Sequence, residues 1–319
     1  MFFLDTKYII REAKKLGIKT KIIYRDKNFV ELQSGKKKQT IMGTYPPQTS
    51  VVAHYLCAEK HFAIDFLKRA KLPVPRSRAF TEKSKCLAYA SSLPLPVVAK
   101  GSDGSGGANV LANLKTKKDL REAIDDLFKR CETVMIEEQA AGDDYRILVI
   151  KRKAVACVKR IPANVIGDGK KNIKALISET NKDPRRGPKN TKSLVTIKID
   201  DDTTRVVKEQ GYLLNTVPPK GKQIFLKSSA NLSEGGETEN YTSLVHKDYF
   251  KIAEKAALVL DNIPLVGLDI ITPDITRPWR ETKGVIIEAN DAPMLQLHQL
   301  PTRGKAINVA KMFVKLIMK

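Results

Sequence analysis

The residues best placed for chemistry are carboxylates set into apolar runs. Asp269 interrupts Leu265-Val266-Gly267-Leu268-Asp269-Ile270-Ile271, and Glu288 interrupts Gly284-Val285-Ile286-Ile287-Glu288-Ala289-Asn290. Both runs have the length and β-branched content of buried strands. If the loop at 273–283 joins them as an antiparallel pair, Asp269 falls opposite Glu288, with Cβ atoms ~5 Å apart. Asn290 then shares their face, because side chains alternate along a strand. Two like charges so close are unfavourable unless a cation sits between them. Two carboxylates and an amide oxygen suit Mg²⁺, which takes few carboxylates and completes its shell with substrate phosphates. The bland counterpart is a strand edge with its acids in solvent, and the apolar flanks weigh against it.

A second element is Pro96-Val97-Val98-Ala99-Lys100, followed by Gly101-Ser102-Asp103-Gly104-Ser105-Gly106-Gly107. A lysine ending a buried strand can reach an anion, and a glycine loop can turn backbone N–H groups toward phosphates. A plain turn fits that loop equally well. The third is Met135-Ile136-Glu137-Glu138-Gln139-Ala140-Ala141-Gly142-Asp143-Asp144-Tyr145-Arg146, a strand leaving into a glycine turn. Such a hinge could hold a planar base by its backbone and a ribose by a carboxylate; alone, an acidic turn fits as well. GxxxxGK[ST], HExxH, GxSxG and GxGxxG are all absent, which disfavours P-loop, metallohydrolase, serine-hydrolase and Rossmann chemistry. His54, His61, His246 and His298 show no metal spacing and are expected as surface or packing residues.

Positioning these groups needs a mixed scaffold. The chain has 319 residues, 42 % hydrophobic and 29 % charged, a globular profile. A charge of +22 favours anionic partners, but the lysines and arginines are dispersed and aromatics are only 6 %, unlike a nucleic-acid footprint. Cys57, Cys86, Cys131 and Cys157 fit neither a zinc site nor a disulfide framework and suggest a reducing cytoplasm. The start resembles no signal peptide, and no run is long enough to span a membrane. Helices are expected at 5–16, 58–71, 81–92, 117–131, 171–181, 246–261 and 305–318. Strands are expected at 19–24, 28–33, 97–100, 109–112, 133–138, 145–151, 154–160, 265–272 and 284–290. The polar segment 163–225 reads as a lid or small inserted subdomain. The class is α+β with antiparallel hairpins.

From about Val51 to Lys315 the chain resembles the ATP-grasp module of cyanophycin synthetases and of bifunctional glutathione synthetases. The resemblance is carried by Arg160-Ile161-Pro162-Ala163-Asn164-Val165-Ile166-Gly167-Asp168-Gly169, Asn181-Lys182-Asp183-Pro184-Arg185-Arg186-Gly187 and Ala230-Asn231-Leu232-Ser233-Glu234-Gly235-Gly236. Gly267–Asp274 and Ile287-Glu288-Ala289-Asn290 complete the set. It implies that Lys60 and Lys100 contact ATP phosphates, and that Glu137, Glu138 and Ala140 form the adenine hinge. Asp144 would bind the ribose, and Asp269, Glu288 and Asn290 would hold Mg²⁺, with Mn²⁺ as a substitute. Arg160 and Asn231, with the Gly235-Gly236 turn, resemble groups around the γ-phosphate, and Arg146 the arginine of the family's Asp-Tyr-Arg run. Three departures stand out: Gly107-Ala108-Asn109-Val110 in the phosphate loop, Gln139 in place of the hinge aromatic, and Asp291 after Asn290.

The resemblance implies an ATP-grasp fold with a small N-terminal domain at 1–50 and grasp subdomains at 51–135 and 136–319. It implies a carboxylate–amine ligase that forms an amide through an acyl phosphate and releases ADP and phosphate; the expectation here is a stand-alone enzyme, cytoplasmic by its cysteine usage. Its partners would be ATP, a carboxylate and an amine such as an amino acid or acidic peptide, without nucleic acid or membrane; self-association is left open. The alternatives are a small-molecule phosphotransferase and a non-catalytic nucleotide-dependent binder of an acidic polymer.

Overall fold

A computed structural model describes residues 2–102, 109–188 and 191–319. Most of the glycine-rich loop, from Asp103 through Ala108, lies outside the described residues. The chain divides into two compact units: Met1–Pro47, Val158–Tyr241 and Met294–Lys319 in the first, Gln48–Cys157 and Thr242–Pro293 in the second.

In chain order the first unit opens with α1 (Leu4–Lys15), which buries Ile9 and Ala13, and an antiparallel sheet of β1 (Lys19–Tyr24), β2 (Phe29–Ser34) and β3 (Lys37–Met42). The sequence hides β3, because only Ile41 in it is fully buried.

The chain then enters the second unit with α2 (Val51–Ala58) and α3 (Lys60–Arg69). The apolar residues of α2 are spread around it, with Val51, Val52 and Tyr55 exposed, so no stripe announces it. Next come β4 (Ser77–Phe80), α4 (Lys83–Ser91), β5 (Val97–Gly101), β6 (Val110–Leu114), α5 (Lys117–Leu127) and β7 (Val134–Glu138). Their four strands form a sheet in the order β4-β7-β5-β6. Val97, Ala99, Val134 and Ile136 join one apolar cluster with Cys86, Leu120, Ile124 and Leu127 of α4 and α5. Alternation places Val98, Lys100, Met135 and Glu137 on the opposite face. β8 (Asp143–Ile150) follows and turns at Lys151 and Arg152, both at positive φ, into β9 (Lys153–Ile161).

Back in the first unit, β10 (Asn164–Ile166) is followed by α6 (Ile173–Thr180), β11 (Arg186–Gly187), β12 (Leu194–Val195), α7 (Asp201–Glu209), β13 (Gln223–Phe225) and β14 (Glu237–Asn240). This polar stretch has its own core of Ile173, Ile177, Ile197, Val207, Ile224 and Leu226. α7 is rich in β-branched residues and was not expected. A capping box between Asp200 and Thr203, with Asp201 and Asp202 in its first turn, sets it. β14 pairs with Val158–Ile161 of β9.

The second unit is completed by α8 (Lys247–Val259), β15 (Leu265–Thr272), α9 (Trp279–Thr282) and β16 (Val285–Asn290). β15 lies between β8 and β16, antiparallel to both. The chain ends in the first unit with α10 (Gln296–Gln299) and α11 (Val309–Met318). α11 starts later than its apolar pattern suggests, because the Asn308 side chain accepts from Lys311 N–H at 3.0 Å and caps it there. All four cysteines are buried free thiols, and burial pushes Cys86 up to about 12. Among the described residues no helix is long and apolar enough to cross a membrane.

Asp5 in α1 is buried, and its Oδ1 accepts from the Gln296 N–H at 2.7 Å. Burial outweighs that hydrogen bond and raises its pKa to about 7. A raised carboxyl binds a proton in the folded state that the unfolded chain has already lost, so stability falls as pH climbs from about 4 to about 7. Asp5→Asn keeps the acceptor and removes the charge. Urea titrations should show it more stable than the parent at pH 8, by at most about 4 kcal/mol, with little difference at pH 4.

Candidate functional site

One face of the β8–β15–β16 ladder gathers the polar residues of the second unit. Asp269 pairs directly with Glu288 on one side and with Arg146 on the other. Asn290 pairs with Gly267, and Asp144 with Ile271, which puts Asp144, Arg146, Asp269, Glu288 and Asn290 on the same face. The predicted register is therefore present, with one irregularity just after Asp269. Arg146 lies across Asp269 as a two-pronged ion pair: Nε donates to Oδ1, and Nη2 donates to Oδ2 at 3.0 Å. Asp269 is 1 % exposed and Arg146 6 %. The guanidinium can lie there because residue 267 is glycine. A Cβ at Gly267 would stand 2.7 Å from Pro293 Cβ and 3.0 Å from Arg146 Cδ and Nη1. Asn290 donates from Nδ2 to the Gly267 carbonyl at 3.3 Å, which turns its Oδ1 the other way.

Two lysines complete the charge pattern. Lys60, at the start of α3, is buried with Nζ 3.6 Å from Glu288 Oε1. Lys100, near the end of β5, is buried and donates to Glu137 Oε1 at 2.9 Å and to the Ile287 carbonyl at 3.4 Å. Glu137 is buried too, and among the described residues its Oε2 has no hydrogen-bond partner. Burial, then the Asp269 carboxylate opposite, pushes Glu288 above the usual carboxylate range, while Lys60, Arg146 and Lys100 pull it down. Beyond Glu137, Glu138 ends β7 and Ala140 lies in the turn to β8. That turn depends on Gly142, which has φ +124° and whose Cβ would meet the Thr272 carbonyl carbon at 2.1 Å. Gln139 folds onto β6, accepting from the Asn113 N–H at 2.9 Å.

Comparison with known proteins places this geometry. Residues 57–181 match the RimK-like ATP-grasp domain. The bifunctional glutathione synthetase of Pasteurella multocida superposes on 99 % of this chain and 43 % of its own, with a TM-score of 0.74 and 26 % identity. The protein has the ATP-grasp fold. A cyanophycin synthetase of Geminocystis herdmanii is 34 % identical over 316 residues, covering 98 % of this chain and 36 % of that relative. A bifunctional glutathione biosynthesis protein of Clostridium perfringens is 29 % identical over 306 residues, 95 % of this chain and 39 % of its own. The chain thus spans between about a third and two fifths of the curated relatives it matches.

Within this ATP-grasp chain the structure brings together Lys60, Lys100, Glu137, Asp144, Arg146, Asp269, Glu288 and Asn290, all in the second unit. Arg160 and Asn231 belong to the first unit. There Arg160 pairs opposite Thr238 on β9, and Asn231 precedes a turn of 3-10 helix at Leu232–Glu234. Arg186 explains two of the quoted stretches at once. Its Nη1 donates to the Val195 and Gly235 carbonyls at 2.9 Å each, and its Nη2 donates to Glu237 at 2.9 Å. Asp291 meets His54 Nδ1 at 2.6 Å, and His61 meets Ser102, so two histidines expected only at the surface or in packing have defined partners. Neither pair had a signal in the sequence beyond adjacency to Asn290, Lys60 and Lys100.

The Arg146–Asp269 pair sets a stability test. Arg146→Met should leave a buried, uncompensated carboxylate and destabilise the protein by about 3–5 kcal/mol. Arg146→Met combined with Asp269→Leu should recover most of that loss, because the desolvated charge goes with its partner. Urea unfolding of the three proteins reads the difference. A double variant no more stable than the single one would show that Asp269 is compensated by something else.

Proposed function

We propose that this chain is an ATP-dependent carboxylate–amine ligase. The observation that carries the reading is the convergence of Lys60, Lys100 and Arg146 on the acids Glu137, Asp269 and Glu288. That arrangement suits a polyphosphate, whose negative oxygens would take over the two lysines now shared with carboxylates, while Arg146 stays on Asp269. Asp144, on the same face, suits the ribose hydroxyls, and the hinge at Glu138 and Ala140 suits the adenine edge. Glu137 Oε2, without a partner among the described residues, is a buried acceptor fit for an exocyclic amine.

Asp269, Glu288 and the Asn290 Oδ1 are a hard-oxygen donor set. Among the described residues no group of three or more His, Cys, Asp or Glu is placed to hold a metal ion, and the Asn290 amide oxygen would serve as the third donor. These residues would hold Mg²⁺ or Mn²⁺, which supplies charge neutralisation for the phosphates when bound. The protein's own groups bind and orient: the two lysines offset charge on the phosphoryl group as it leaves ATP for the substrate carboxylate, and an amine then attacks the acyl phosphate. Arg160 and Asn231 are proposed to face that intermediate, and Arg146 to hold Asp269. The first unit has a cavity of about 570 Å³ lined by Asp168, Glu179 and Glu237 together with Lys171 and Arg303. Mixed charge of that kind suits a zwitterionic amino acid or short peptide. Buried free thiols fit a reducing compartment, and we place the enzyme in the cytoplasm.

Turnover with ATP, Mg²⁺ and a panel of amino acids and acidic peptides should yield ADP, phosphate and an amide identified by mass spectrometry. AMP as the main nucleotide product would sink the reading, and a stable phosphorylated substrate without any need for an amine would make the protein a phosphotransferase. Glu288→Gln should keep the fold and some ATP affinity while slowing turnover on the order of 100-fold or more. By calorimetry, Lys100→Ala should weaken ATP but not adenosine, whereas Asp144→Ala should weaken both. Equal losses for every ligand in both variants would mark these positions as structural.

A further inference from the structure

Glu59, His61 and Ser102 form a hydrogen-bonded cluster that the ligase reading leaves unused. Ser102 is 1 % exposed, and its hydroxyl donates to Glu59 Oε2 at 2.9 Å. His61 Nδ1 lies against the same hydroxyl oxygen, and the His61 backbone N–H points at it from 3.5 Å. The main chains are tied as well. The Lys60 N–H donates to the Ser102 carbonyl at 3.0 Å, and the Ser102 N–H donates to the Thr133 carbonyl at 2.9 Å.

A serine, a histidine and an acid invite comparison with an activated nucleophile, and the geometry refuses it. An activated serine gives its proton to the histidine, whose other ring nitrogen holds the acid. Here the serine proton goes to Glu59, and the one nitrogen, Nδ1, faces both Ser102 and Glu59 Oε2, the latter at 3.6 Å. A hydroxyl has one proton to give, so His61 must donate from Nδ1. The three residues make a fastening between the start of α3 and the end of β5.

What that fastening holds is specific. Lys60 sits between Glu59 and His61, and Lys100 stands two residues before Ser102. Both ammonium groups point into the carboxylate cluster, Lys60 to Glu288 and Lys100 to Glu137. We propose that Glu59, His61 and Ser102 are positioning residues that set the separation of Lys60 and Lys100 for the polyphosphate of ATP. The proposal rests on the reading of those lysines as phosphate ligands. Reacting groups are sensitive to displacements of about 1 Å, so a slackened fastening should be felt at the phosphates and not at the nucleoside.

The test measures ATP and adenosine binding by calorimetry, and phosphate release, on the full chain. Ser102→Ala and His61→Ala should each raise the ATP Kd and KM about ten-fold, the equivalent of one lost hydrogen bond, with adenosine affinity unchanged. Ser102→Thr keeps the hydroxyl, and His61→Asn offers an amide N–H where Nδ1 now donates; both should restore most of the loss. ATP and adenosine weakened alike, no change in either, or rescue variants as poor as alanine would each overturn the proposal. If Ser102→Ala does not fold, the comparison of His61→Ala with His61→Asn, at a partly exposed side chain, decides it. Lys60→Ala and Lys100→Ala separate the two levels. Normal ATP binding by both lysine variants defeats the phosphate reading and the fastening with it. Weakened binding there, with the fastening variants normal, defeats the fastening alone.

Discussion

Arg146 engages both carboxylate oxygens of Asp269, and each side chain is almost wholly buried. Taking two charges out of water costs several kcal/mol per ion, and only a well-formed pair offsets it. Much of the second unit follows from that constraint. Asp269 needs a cation on the neighbouring strand, which fixes the register of β8 against β15. The guanidinium needs a channel across β15, which is why residue 267 has no side chain. A one-residue slip of either strand would turn the arginine to the other face and strand the acid.

The same logic extends outward from the pair. Lys100 is paired with Glu137 across two strands, and Lys60 with Glu288 across a helix and a strand. Such pairs add little net stability over apolar residues of the same shape, since desolvation consumes most of the attraction. If the anionic ligand proposed above binds there, cations already desolvated and held in place would be pre-organised for it.

Much of this was legible in the sequence because the site lies on strands. Alternation and an apolar flank were enough to set Asp269 opposite Glu288 and to add Asn290 to their face. The β8–β9 turn, the β15–β16 pair and most helices were readable from period and punctuation. The Arg146–Asp269 pair was not, because β8 and β15 are more than a hundred residues apart and no local pattern links them. α2, with apolar residues all round, and β3, with one buried residue, carried no periodic signal. Polar contacts such as His61 with Ser102 depend on tertiary approach and leave no trace in spacing. The segment 163–225 looked like an excursion because its few apolar residues are far apart in sequence, yet they close into one core.

The two carboxylates at the centre are not equivalent. Asp269 has both oxygens on one guanidinium, so its charge is already compensated and its geometry fixed. Among the described residues Glu288 has no such two-pronged partner; Lys60 stands 3.6 Å away, and burial with Asp269 opposite pushes its pKa up. A carboxylate in that position is the one whose ionised form gains most from an incoming cation. Asn290 stands two residues on, with its amide nitrogen held by the Gly267 carbonyl and its oxygen turned away. Glu288 and Asn290 therefore present the adaptable oxygens, and Asp269 presents oxygens held in place by Arg146. The pair of acids reads as one anchored and one responsive group, a division set by Arg146 lying on one of them only.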